Sequence, residues 1–112
     1  MINRQQGDQF EAKAAKLLTQ QGYKILSTNY QCKLGEIDII AKHKSTVIFV
    51  EVKYRKNDNF GSAASHVTPA KQRRIRLTAE LYLKQNRINS ACRFDVIGYT
   101  GTHPPEWIQN AF

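Results

Sequence analysis

The 112-residue sequence predicts one α/β domain, residues 1–112, with a mixed β-sheet between two helices. Three observations predict it. Apolar residues recur at helical spacing near the N-terminus and again after Pro69. Between them lies Gly35–Lys53, GEIDIIAKHKSTVIFVEVK, rich in Ile, Val and Phe and broken by a central turn. A further strand-like run, Ala91–Thr100, follows the second helix. The order is helix, strand, hairpin, helix, strand.

Residues Asn3–Gln21 read as the first helix. Phe10, Ala14, Leu17 and Leu18 make one apolar stripe, and Gly22 follows as a C-cap. Glu11 falls on the core side of that stripe, three and seven positions before Ala14 and Leu18. An ordinary pair with Lys16 at the stripe's edge is the plainer alternative. Tyr23–Tyr30 alternates loosely and reads as the first strand, and Gln31–Gly35 as a short link. Arg55–Ala64 has no periodicity and carries Gly, Asn and Asp, so it reads as a loop leaving the end of the hairpin.

Thr68-Pro69 is a helix start, with Thr at the N-cap and Pro at the first helical position. The second helix runs to about Asn86 on a stripe of Ile75, Ala79, Tyr82 and Leu83, and Gln72 also faces inward. Lys71, Arg73, Arg74 and Arg76 crowd its first turns, the unfavourable end of the helix dipole for cations. That placement makes sense if phosphate meets this end. The final strand alternates Cys92, Phe94, Val96 and Gly98 against Arg93, Asp95, Ile97 and Tyr99. Glu106–Phe112 reads as a short strand or helical end with Trp107, Ile108 and Phe112 as apolar plugs.

The hairpin carries the chemistry. Its strands are Glu36–Lys42 and Thr46–Tyr54, and Asp38, Glu51 and Lys53 interrupt them. A charge in an apolar strand is costly unless it is paired or holds a metal. Alternation puts Val47, Phe49, Glu51 and Lys53 on one face, and Glu36, Asp38 and Ile40 on one face opposite Ile37, Ile39 and Ala41. A four-residue turn, His43–Thr46, sets Asp38 directly across from Glu51. A two-residue turn sets it across from Phe49, one diagonal step away. Both keep the carboxylates within reach of a shared ion; a three-residue turn without a bulge separates them. Adjacent carboxylates repel and raise each other's pKa unless a cation lies between. Oxygen ligands with no Cys or His nearby suit Mg²⁺ or Mn²⁺. Lys53 adds a compact positive charge for a phosphate oxygen or an attacking water.

The net charge of +8, with a pI near 9.7, points to a polyanionic partner. Met1–Lys16 is too polar for a signal peptide, and the longest strictly apolar run is Val47–Val50, so neither secretion nor a membrane partner is expected. Cys32 and Cys92, few and far apart, fit reduced structural thiols in the cytoplasm. His43, His66 and His103 fall in predicted loops without ligand spacing and receive no catalytic or metal role.

Asp38, then Glu51-Val52-Lys53 after thirteen residues, with helical Glu11 upstream, resembles the D…(D/E)xK core of restriction-endonuclease-like nucleases. The likeness is closest to their archaeal Holliday-junction-resolvase branch. More narrowly, the chain resembles the small bacterial YraN-type family through GDQFEAKAAKLL, GEIDII, VIFVEVKYR, VTPAKQRR, CRFDVI and EWIQNAF. The resemblance covers nearly all of Gly7–Phe112. Ile37 stands where the nuclease pattern usually has proline.

The resemblance implies a restriction-endonuclease-like sheet flanked by helices, with an α-β-β-β-α-β core. It makes Glu11, Asp38 and Glu51 the metal ligands and Lys53 the residue that orients or activates water. It makes Gln72 the accessory glutamine of the second helix. Arg55, Lys56, Lys71, Arg73, Arg74 and Arg76 would hold the nucleic-acid backbone. The implied function is Mg²⁺- or Mn²⁺-dependent phosphodiester hydrolysis on nucleic acid, with branched or damaged DNA as the candidate substrate. A catalytically silent nucleic-acid-binding module is the alternative, and a purely structural ion network a third reading. Junction resolvases of this type usually pair, so a homodimer is left open.

Overall fold

A computed structural model of the chain describes residues 4–57 and 62–112. The start of the first helix at Asn3 and positions 58–61 of the predicted loop lie outside these residues. The elements are α1 (Arg4–Gln20), β1 (Lys24–Cys32), β2 (Gly35–His43), β3 (Thr46–Arg55), a 3₁₀ turn (Ala64–His66), α2 (Pro69–Gln85), β4 (Cys92–Thr100) and β5 (Glu106–Ile108). The predicted order is observed, and Glu106–Ile108 settles as a strand.

Local chemistry explains the helix boundaries. Gly22 closes α1 with a φ of +88°, a left-handed conformation that glycine adopts without strain. Thr68 caps α2: its Oγ1 accepts the Lys71 N–H at 3.2 Å, and Pro69 occupies the first helical position.

The five strands lie in sequence order, β1-β2-β3-β4-β5. The β1–β2, β2–β3 and β4–β5 pairs are antiparallel, and β3–β4 is parallel. The parallel pair requires a crossover, which α2 supplies. The two helices take opposite faces. Ala14 and Leu18 of α1 pack with Ile39, Ala41, Ile48, Val50, Ile97 and Tyr99. Ile75, Ala79 and Tyr82 of α2 pack with Ile40, Val47, Phe49, Phe94 and Val96. The alternation expected for β3 and β4 is therefore the one observed, and it points Glu51 and Lys53 to the α2 side.

Two expectations about the hairpin need correction. Its turn has two residues, Lys44 and Ser45, yet the register runs His43–Thr46, Lys42–Val47, Ala41–Ile48, Ile40–Phe49 and Ile39–Val50. His43–Thr46 and Lys42–Val47 are rungs of one ladder, so the two-residue turn gives the same offset as the four-residue one. Its next step sets Asp38 across from Glu51, not from Phe49. The second correction concerns Ile37. It packs with the α2-side cluster rather than with Ile39 and Ala41. The β2–β3 ladder ends at Ile39–Val50, so the first residues of β2 have backbone pairing with β1 alone. They bend toward α2, where a Cβ on Gly35 would meet Thr78 Oγ1 at 3.3 Å.

Gly98 marks another close approach. A Cβ there would lie 2.2 Å from Ala63 Cβ, so the segment before α2 packs directly on the β4 backbone.

Candidate functional site

The site forms where β2 begins and β3 ends, under the first turn of α2. At this end the β2–β3 ladder stops, and a side chain replaces a backbone acceptor. Asp38 Oδ2 accepts the Val52 N–H at 2.8 Å. That bond favours the charged form of Asp38, but burial and the adjacent Glu51 outweigh it. Burial first, then the charge and hydrogen-bonding of Glu51, push Asp38 up to about 9. The two carboxyls are near neighbours across the end of the hairpin.

Glu51 is 4 % exposed, a carboxyl shut into the sheet. Lys71 Nζ lies 2.6 Å from its Oε2. The contact is a close ion pair, and among the described residues Oε2 has no other partner. Lys53 completes the group. Burial lowers its pKa, and hydrogen-bonding and repulsion from Lys71 lower it further. Burial works to lower Lys71 as well, but the charge of Glu51 wins and raises it. Of the two amines, Lys71 therefore holds its proton the more tightly.

Glu11 approaches from α1. Burial raises its pKa, and so do the charges of Asp8, Glu36 and Glu51. Asp38 responds to Glu11 in turn. The Oε1 of Glu11 is buried with no hydrogen-bond partner, and the pair with Lys16 does not form. Glu11 also lines an open recess of about 380 Å³ between α1 and β1, with Asp8, Thr28 and Asn29. Glu36 is exposed, and its Oε2 accepts from Gln31 Nε2 at 2.9 Å.

Among the described residues no group of three or more His, Cys, Asp or Glu side chains is gathered tightly enough to hold a metal ion. The donor chemistry nevertheless fits a hard divalent ion. Asp38, Glu51 and Glu11 offer oxygen only, the charge of Glu51 helps to raise both Asp38 and Glu11, and the Oε1 of Glu11 is buried without a hydrogen bond. A cation between them relieves both conditions.

The remaining predicted residues divide. Gln72 turns to the loop before α2 and donates its amide to the Val67 carbonyl at 3.0 Å. Lys71, expected to hold a nucleic-acid backbone, is also the α2 residue that meets the buried Glu51 carboxylate. Arg55 also turns inward: Nη2 donates to Thr100 Oγ1 at 3.2 Å, and Nη1 lies 3.4 Å from His66 Nε2. Arg76 rests its guanidinium 4.8 Å from the Phe94 ring centre and 5.7 Å from that of Phe112. Lys56, Arg73 and Arg74 are exposed.

One buried charge escaped the sequence reading. Asp95 is wholly buried on the α1 side of β4. It accepts from Arg93 through Nε at 2.8 Å and Nη2 at 2.9 Å, from Trp107 Nε1 at 2.9 Å and from the Asn110 N–H at 3.0 Å. Trp107 is thus a donor as well as an apolar plug. The signal was present: Asp95 interrupts an apolar strand as Asp38 does, with Arg93 two positions earlier on the same face. Its four hydrogen bonds satisfy it completely and make it an anchor for the C-terminal segment.

The fold and the buried acid–amine cluster together define a small α/β protein with a mixed sheet and a charged site at the open end of its central hairpin. The chain belongs to the uncharacterised protein family UPF0102, whose profile matches residues 10–99. A UPF0102 protein of Neisseria meningitidis is 46% identical over 110 residues, 97% of this chain and 96% of the relative. One from Vibrio parahaemolyticus is 49% identical over 111 residues, 96% and 92%. One from Aeromonas hydrophila is 47% identical over 109 residues, 95% and 83%. This is the YraN-type family that the sequence motifs resemble. Among the described residues no helix is long and apolar enough to cross a membrane, and both cysteines are free thiols.

Proposed function

We propose that the protein is a restriction-endonuclease-like, metal-dependent phosphodiester hydrolase acting on nucleic acid. One observation carries the reading. Asp38 and Glu51, from neighbouring strands, lie together at the end of the hairpin, with Lys71 Nζ 2.6 Å from Glu51 Oε2 and the Lys53 amine within their field. Such a group is expensive to bury and has no evident structural need. A bound Mg²⁺ or Mn²⁺ would polarise the phosphate and lower the pKa of a water.

The chain's own residues divide the remaining work. Asp38 and Glu51, with Glu11 behind them, would hold the ion. Lys53, biased toward the neutral amine, can accept a proton from a water or orient it toward phosphorus. Lys56, Arg73 and Arg74, exposed beside the site in sequence, would bind the backbone.

A binding module without turnover is the second reading. The ion pair between Lys71 and Glu51, and the lack of a compact ligand trio among the described residues, favour it. One assay separates the two. Branched, single-stranded and duplex DNA, and RNA, are incubated with Mg²⁺ or Mn²⁺. The hydrolase reading expects cleavage by the wild type, none by Asp38→Asn or Lys53→Ala, and nearly unchanged binding by both. Equal cleavage by wild type and variants refutes it. Salt-sensitive binding with no product supports the module.

A further inference from the structure

Lys71 is the one cation of the α2 first turns that points inward to a carboxylate among the described residues, while Arg73 and Arg74 stay in solvent. It occupies the third position after the cap, where the helix dipole disfavours positive charge, and no acidic residue in that turn offsets it. Glu51 supplies the compensation. We propose that Lys71 is the resident counter-ion of the Asp38–Glu51 pair, holding the place of a divalent ion and swinging out to a nucleic-acid phosphate when that ion enters. The inference rests on the metal-dependent reading of this site.

The geometry allows the exchange. The Glu51 side chain is 5% exposed and that of Lys71 35%, so the lysine forms the solvent side of the contact. The backbone beneath is fixed, with the Lys71 N–H on Thr68 Oγ1 and the Gln72 amide on the Val67 carbonyl. The four-carbon stem can therefore move without the helix. Charge balance gives the direction. Asp38 gives up its proton to solvent as the ion enters, and the two carboxylates then neutralise one divalent ion, which leaves the Lys71 ammonium without a counter-charge at the site. A phosphodiester brings one negative charge to that position.

The test measures Mn²⁺ affinity by titration calorimetry with no nucleic acid present. Removing a competing unit charge in Lys71→Met should tighten Mn²⁺ binding about tenfold, and Lys71→Arg should leave it near wild type. A purely structural clamp would instead lower the melting temperature of Lys71→Met and leave Mn²⁺ affinity unmoved, which overturns the inference. If wild type binds Mn²⁺ and Lys71→Met binds it equally or more weakly, the inference fails and the metal reading stands. If neither binds Mn²⁺, both fail. A wild-type readout guards against a variant that does not fold. In protein with ¹³C-labelled lysine, Mg²⁺ should shift the Lys71 ε-methylene resonance; saturation with Mg²⁺ that leaves it in place overturns the proposal.

Discussion

Replacing Asp38 by asparagine should stabilise the metal-free protein at neutral pH. Asp38 ordinarily titrates near 3.8, and burial beside Glu51 pushes it up to about 9. In the unfolded chain the group ionises above about pH 4, whereas in the fold it keeps its proton until about pH 9. Between those values the folded state binds the extra proton. This group's contribution is therefore fully present below the unfolded pKa and is lost as pH rises toward the folded one. From 3.8 to pH 7, at about 1.4 kcal/mol per pH unit, the loss has a ceiling of about 4 kcal/mol.

Asp38 is only partly shut from solvent, and relaxation there reduces the figure to about 2 kcal/mol. Asparagine keeps an oxygen for the Val52 N–H and cannot ionise. The variant should gain about 2 kcal/mol at pH 7, or about 8 °C in Tm, and lose the advantage near pH 4. Urea unfolding from pH 4 to 9 in EDTA, followed by Trp107 fluorescence, measures it. Lys53, lowered rather than raised, changes stability in the opposite sense, growing with pH below its ordinary value, and because Asp38 is among the groups that raise it, the difference between the two proteins carries a smaller Lys53 contribution as well. Adding Mn²⁺ should stabilise the wild type and leave the variant unchanged. A variant less stable at pH 7, or a difference that does not vary with pH, refutes the account of this carboxyl pair.

Asp95→Ala should destabilise the fold by about 4 kcal/mol in urea unfolding, because it strands the Arg93 guanidinium and the Trp107 N–H. Gly98→Ala should cost about 3 kcal/mol through its collision with Ala63, and adding Ala63→Gly should recover part of that loss.

Much of the fold was legible because it follows from periodicity. The apolar stripe of α2, the Thr68-Pro69 start and the alternation along β3 are local patterns with a local cause, and each appears as read. That Asp38 and Glu51 share a face follows from parity, whereas the residue across from Asp38 depends on the offset of the turn, which the sequence leaves open. The placement of Ile37 was not legible, because the bend at the start of β2 depends on where the ladder ends and on how closely Gly35 meets α2.

The sequence by itself determined that this chain folds as helices on a mixed sheet and that it buries opposed charges in its central hairpin. Spacing and composition suffice for that, because strand and helix geometry repeat along the chain. Tertiary structure alone decided which amine meets Glu51 and which residues anchor the C-terminal segment. Lys71 and Gln72 differ by about 100° around α2, and only the docking of that helix on the sheet selects one over the other. Asp95 likewise draws donors from its own strand and from the residues after Pro105, which only the folded chain brings together.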